Sequence, residues 1–81
     1  MPTVLREGPY RFYFYSDDGK EPPHVHVDRA ECSVKVWLEP VEVARNIRFP
    51  AHEVREVLRR VKERKAELIK AWHEYFSTNR R

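Results

Sequence analysis

The stretch Glu21-Pro22-Pro23-His24-Val25-His26-Val27-Asp28, EPPHVHVD, decides how the rest of the chain is read. Neither proline can donate to a β-ladder, so strand pairing is expected to start only after Pro23. From His24 onward, imidazoles and a carboxylate alternate with valines, and successive side chains of an extended strand point to opposite faces. Val25 and Val27 are therefore assigned to a core. His24, His26 and Asp28 fall together on the other face, with two imidazoles in reach of one ligand.

Strands are expected on both sides of this one. Upstream, YRFYFY over 10–15 is aromatic throughout and is the clearest strand signal, preceded by a short strand over 3–5 and a break at Glu7-Gly8-Pro9. Ser16-Asp17-Asp18-Gly19 supplies turn residues. Downstream, residues 28–32 turn, 33–38 alternate cleanly as a further strand, Pro40 ends it, and 41–44 read as a short edge strand. Parity then gives an apolar set of Tyr10, Phe12, Phe14, Val25, Val27, Val34, Val36 and Leu38. The opposite set holds Arg11, Tyr13, Tyr15, His24, His26, Asp28, Ser33, Lys35 and Trp37. An ordinary solvent face would carry mostly Lys, Glu and Thr, so this second face reads as a binding surface, with both histidines at least partly exposed opposite the helix.

From Ala51 the period becomes helical, with Val54, Val57, Leu58, Val61, Leu68, Ile69, Trp72, Tyr75 and Phe76 largely three and four residues apart. Pro50 suits the first turn and Glu53 complements the helix dipole. A helix from 51 to about 77 would be about 40 Å long, roughly twice a typical strand. Either it kinks near Glu63-Arg64-Lys65 or its second half finds another surface. The expected architecture is α+β: a small antiparallel sheet of four to five strands, over about 3–45, followed by one long C-terminal helix. On that reading Leu68, Ile69, Trp72 and Phe76 form the interface of a homodimer.

With 81 residues, 41% of them hydrophobic and only two glycines, the sequence is that of one domain, 1–81, with enough apolar material for a core. No apolar run approaches membrane length and no signal peptide opens the chain, so a cytoplasmic protein is expected. Cys32 is the sole cysteine and is placed in a turn, which excludes an internal disulfide. Residues 1–49 carry 7 basic and 8 acidic side chains, and residues 50–81 carry 9 and 5. The excess positive charge thus belongs to the C-terminal segment, where a basic helix face can attract nucleic-acid phosphates or an acidic partner, while interspersed Glu56, Glu63 and Glu67 favour a solvated helix surface.

Three readings apply to His24 and His26. As metal ligands they supply two nitrogens beside the Asp28 carboxylate, but no third ligand cluster lies nearby in sequence, so neither metal nor cofactor is expected. As a general acid and base, about 7 Å apart on one strand face, they could flank a phosphodiester while Lys35 or Arg11 stabilises developing charge, with metal-independent cleavage of RNA as the chemistry. Tyr13, Tyr15 and Trp37 would then stack unpaired bases, with Arg11 and Asp28 completing the binding face. As structural residues they would pack on Tyr13 or Tyr15 and serve a protein interface.

Met1-Pro2-Thr3-Val4-Leu5, Tyr10-Arg11-Phe12-Tyr13-Phe14-Tyr15-Ser16, Glu21-Pro22-Pro23-His24-Val25-His26-Val27, Lys35-Val36-Trp37-Leu38-Glu39-Pro40-Val41 and Trp72-His73-Glu74-Tyr75-Phe76 appear in this order. Together they resemble the small prokaryotic family catalogued as domain of unknown function 4160, and the PPHxHV segment is the most specific part of the likeness. The resemblance implies a two-gene arrangement with another small domain, catalogued as 2442, of the toxin and antitoxin kind. It makes this chain the toxin side, with a small antitoxin-like protein as partner. Pro50 departs from the serine that relatives often carry. The family assigns no catalytic residue, so the expected roles of His24, His26 and Lys35 rest on the chemistry above. The expected function is a toxin-like component that binds and cleaves RNA through the histidine face; the alternative is a non-catalytic module that docks a partner protein.

Overall fold

The computed structural model describes residues 3–16 and 18–77. Five strands, β1 (Thr3–Glu7), β2 (Tyr10–Tyr13), β3 (His24–Arg29), β4 (Cys32–Leu38) and β5 (Val41–Ile47), form an antiparallel meander in the order β1-β2-β3-β4-β5. A 3₁₀ turn at Asp18–Lys20 interrupts the β2–β3 connection, and helices α1 (Ala51–Glu63) and α2 (Lys65–Ser77) follow. The turn between β1 and β2 uses Gly8 at φ 59°, a backbone region that favours a residue without Cβ. Cys32 opens β4 instead of lying in a turn, because β3 runs on to Arg29 and leaves only Ala30-Glu31 to reverse the chain.

All eight residues of the expected apolar set are buried, and the helices cover them with Val57, Val61, Leu68 and Trp72. Asn46 secures the passage from β5 into α1: its amide donates to the Phe49 carbonyl at 2.9 Å and its side-chain oxygen accepts the Phe49 N–H at 3.1 Å. Pro50 takes the N-cap position with no side-chain cap, and its carbonyl accepts the N–H groups of Glu53 and Val54.

The expectation of one long C-terminal helix is corrected. The helix breaks at Arg64, where φ −105° and ψ 12° end α1 and the next residue begins α2. No proline or glycine causes this. Glu7, at the end of β1, accepts hydrogen bonds from Arg60 at 3.0 Å and Arg64 at 2.7 Å and fixes the junction over the sheet. The bend lets Leu68 and Trp72 bury within their own chain, at 0% and 5% exposure, while Ile69 and Phe76 pack against the same core. A straight helix would leave each large apolar group in water at roughly 1.5 to 3 kcal/mol, far more than one distorted helical residue costs. Uncovered helix residues were the reason for expecting a dimer, and that reason is removed.

The basic run in the helices is largely tied up by its own acids. Glu56 accepts from both Arg59 and Arg60, Glu63 from Arg59, and Glu67 from Arg64. Two further carboxylates join the layers: Glu7 as above, and Glu53, which accepts from Tyr10 at 2.9 Å and from Arg29. Hydrogen bonding to Arg64 holds Glu7 below the usual carboxylate range, and hydrogen bonding to Arg29 does the same for Glu53. A depressed carboxylate stabilises the fold above its unfolded value of about 4.3, and that contribution is lost as pH falls through the lower folded value. The urea midpoint should therefore drop as pH falls below about 4.3 and these carboxylates take up protons. Glu7→Gln and Glu53→Gln should start from a lower midpoint at pH 7 and show a shallower drop.

Candidate functional site: the histidine face and its groove

Residues paired across an antiparallel ladder share a face, and the register sets one row across four strands. Tyr13 pairs with His26, His26 with Lys35, and Lys35 with Arg45. A neighbouring row brings Trp37 opposite His24. The irregularity between Lys35 and Val36 lets Val36 pair with Val43 and Lys35 with Arg45, leaving Ala44 as the extra residue. Val41, paired with Leu38, packs toward the core, while beyond the irregularity Arg45 and Ile47 join the polar face. A groove of about 420 Å³ opens there, lined among others by Tyr15, His26, Lys35, Trp37, Arg45 and Ile47.

His26 borders the groove with 13% of its side chain exposed. Its ring stacks on Tyr13 at 5.3 Å, meets Tyr15 edge-on at 4.7 Å, and its Nε2 lies 3.0 Å from Asp18 Oδ2. Burial pushes the imidazole below the ordinary histidine value, and the Asp18 charge offsets this in part. Burial is also the main reason the Tyr13 phenol is pushed well above its usual value.

His24 departs from expectation. It is fully buried, at 0% exposure, although its register places it on the polar face. Trp37 lies edge-on to it at 5.4 Å, His26 edge-on at 5.1 Å, and Trp72 reaches around the end of the sheet to 5.1 Å, touching Phe14 on its other side. The two histidines do not present a solvent-facing acid and base to one phosphodiester, because only His26 reaches the groove. The Nδ1 of His24 is 2.9 Å from the Pro22 carbonyl, which only accepts, so Nδ1 carries the proton. Its Nε2 is buried and lies 3.2 Å from Asp18 Oδ1, outside hydrogen-bond geometry, with no hydrogen-bond partner among the described residues.

Asp18 was not anticipated as a site residue. Sequence reading took it as part of a turn, and nothing in the spacing of Asp18, His24 and His26 shows that the loop folds back. The Tyr15 N–H donates to Asp18 Oδ2 at 2.8 Å and the Asp18 N–H donates to the Tyr15 carbonyl at 3.1 Å, which aims the carboxylate at both imidazoles. Asp18, His24 and His26 are the residues placed to hold a metal, with ligand atoms all within 4.8 Å of one another. Asp28, the carboxylate expected beside the histidines, instead accepts from the Tyr13 hydroxyl at 3.1 Å. Arg11 donates to Thr3 and lies 4.7 Å over the Tyr13 ring. Lys35 is paired with Glu21 and sits 4.8 Å over the Trp37 ring. Arg45 was missed because the edge strand was expected to end at Ala44, whereas β5 runs on to Ile47, past the extra residue that turns Arg45 to the polar face.

Residues 10–73 match the family model described as Domain of unknown function (DUF4160), and the chain belongs to that family. No curated protein and no solved structure matches it. Among the described residues, no helix is long and apolar enough to cross a membrane.

Proposed function

We propose that this protein binds single-stranded RNA in the groove of its histidine face and serves as the toxin side of a two-gene module with a small antitoxin-like partner. One observation carries the reading: Lys35 and Arg45 stand in one row with His26, in a groove whose walls include Tyr15 and Trp37. Cations that follow a phosphate backbone beside rings that stack bases are the combination single-strand binders use. Lys35 is already oriented by Glu21 and Trp37, and Arg45 is exposed. Arg59, Arg60 and Arg64 on the helices are paired with acids as Lys35 is, and what the histidine face adds is aromatic rings beside its cations. The two-gene role rests on the family resemblance alone.

The test is fluorescence anisotropy with a labelled single-stranded RNA at 50 and 200 mM salt. Binding should weaken steeply with salt. Charge reversal at both Lys35 and Arg45 should weaken it about tenfold or more, because each phosphate contact contributes to a salt-dependent affinity. Absence of binding at the lower salt, or indifference to both reversals, refutes the proposal. Growth arrest on expression, relieved by the neighbouring gene product, tests the toxin role separately.

A second reading, docking of a partner protein, is favoured by β5. This seven-residue edge strand exposes Val43 and Ile47 at 36% and 44%, and an open edge can accept an added strand.

A further inference from the structure

We infer that Asp18, His24 and His26 form a binding site for a divalent transition-metal ion of the zinc type, held by Nε2 of both imidazoles and by the Asp18 carboxylate. The inference does not depend on RNA binding, since metal uptake is measured on the protein alone.

Donor chemistry and spacing come first. Two nitrogens and one carboxylate suit zinc and its neighbours and select against magnesium and calcium, which prefer all-oxygen shells. Ligand atoms about 2.0–2.1 Å from a tetrahedral ion lie about 3.3 Å from each other. Asp18 Oδ1 stands 3.2 Å from His24 Nε2 and Asp18 Oδ2 stands 3.0 Å from His26 Nε2, and one donor atom from each residue lies within 4.8 Å of the others, so the donors draw together around an ion. Three protein donors leave a fourth position open, as in catalytic rather than structural zinc sites.

The second observation is independent of the cluster's composition. His24 is fully buried, yet its Nε2 has no hydrogen-bond partner among the described residues and faces the cluster. A buried nitrogen left this way is unfavourable until something pairs with it. Its tautomer is already set for metal, because the Nδ1 proton is committed to the Pro22 carbonyl and the bare lone pair lies on Nε2. Asp18 is likewise fixed from outside by the Tyr15 N–H. Tyr13, Trp37 and Trp72 wall the two imidazoles with rings, which limits competition from water. The competing account places a second proton on His24, making an imidazolium that pairs with Asp18.

The experiment uses tag-free full-length protein stripped with chelator. Zinc titrated calorimetrically should bind at one ion per chain, raise the melting temperature, and leave magnesium without effect. Nitrogen-15 spectra of the histidine rings should show Nε2 of His24 and His26 moving on zinc addition, with His52 and His73 unmoved. Losing a group that only orients a metal ligand costs about 10- to 100-fold in affinity, so Asp18→Asn and His26→Gln should each cost more than about 100-fold. His52→Gln and His73→Gln should change nothing. The ring spectra of the unmodified protein keep the test valid if a ligand variant folds poorly. Absence of stoichiometric uptake, equal binding of magnesium, uptake unaffected by Asp18→Asn in a folded variant, or zinc shifts confined to His52 or His73 would each overturn the site.

Discussion

Trp72→Ala is expected to remove a large part of the protein's folding stability. A buried Trp-to-Ala change costs about 3 to 5 kcal/mol, and small domains hold only about 5 to 15 kcal/mol in total. Trp72 is 5% exposed and meets Phe14 at 5.3 Å, His24 at 5.1 Å and Phe76 at 4.3 Å. It therefore locks α2 to the end of the sheet and roofs His24. Urea denaturation followed by circular dichroism measures the loss. A cost under about 1 kcal/mol, the level of a surface change, would mean that α2 does not pack as described.

Gly19→Val is expected to cost about 1 to 3 kcal/mol, the range for overpacking a filled site, and to disturb the histidine cluster without altering any of its members. A Cβ at Gly19 would meet Phe76 Cδ1 at 2.7 Å. The Phe76 ring cannot move aside freely, being held by Trp72 at 4.3 Å and Tyr75 at 4.8 Å. The 3₁₀ turn must shift instead, carrying Asp18 away from His26 Nε2, now 3.0 Å distant. Two readouts follow: a lower urea midpoint and a changed His26 ring resonance. Phe76→Ala in the Gly19→Val background should recover the ring resonance by making room for the valine, even though it gives up packing of its own. A Gly19→Val protein with unchanged midpoint and unchanged His26 signal would show that the turn does not press on α2.

Alternation in His24-Val25-His26-Val27 and in 33–38 was enough to sort the core face, and all eight assigned residues are buried. The same alternation put His26, Lys35 and Trp37 on one face, where they line the groove. It was not carried past Ala44, where the expected edge strand stopped, and one extra residue there reverses the parity and turns Arg45 toward the groove. It failed for His24, whose exposure depends on a tryptophan 48 positions away in sequence that rounds the end of the sheet.

Local periodicity determined the α+β class, the five strand positions to within a few residues, the apolar face and the identity of the face that carries the chemistry. These are consequences of a side chain's direction from its own backbone, which a short window of sequence encodes. The break at Arg64, the burial of His24 and the approach of Asp18 to both imidazoles were decided only in three dimensions. The first two depend on contacts between segments far apart along the chain, and the third on the closure of the loop before β3. Glu7 holds Arg60 and Arg64, Trp72 covers His24, and the loop after β2 folds back so that Asp18 meets β3. The free energy that selects those arrangements comes from burying Leu68 and Trp72 and from satisfying charged groups across layers, and neither quantity exists until the segments meet.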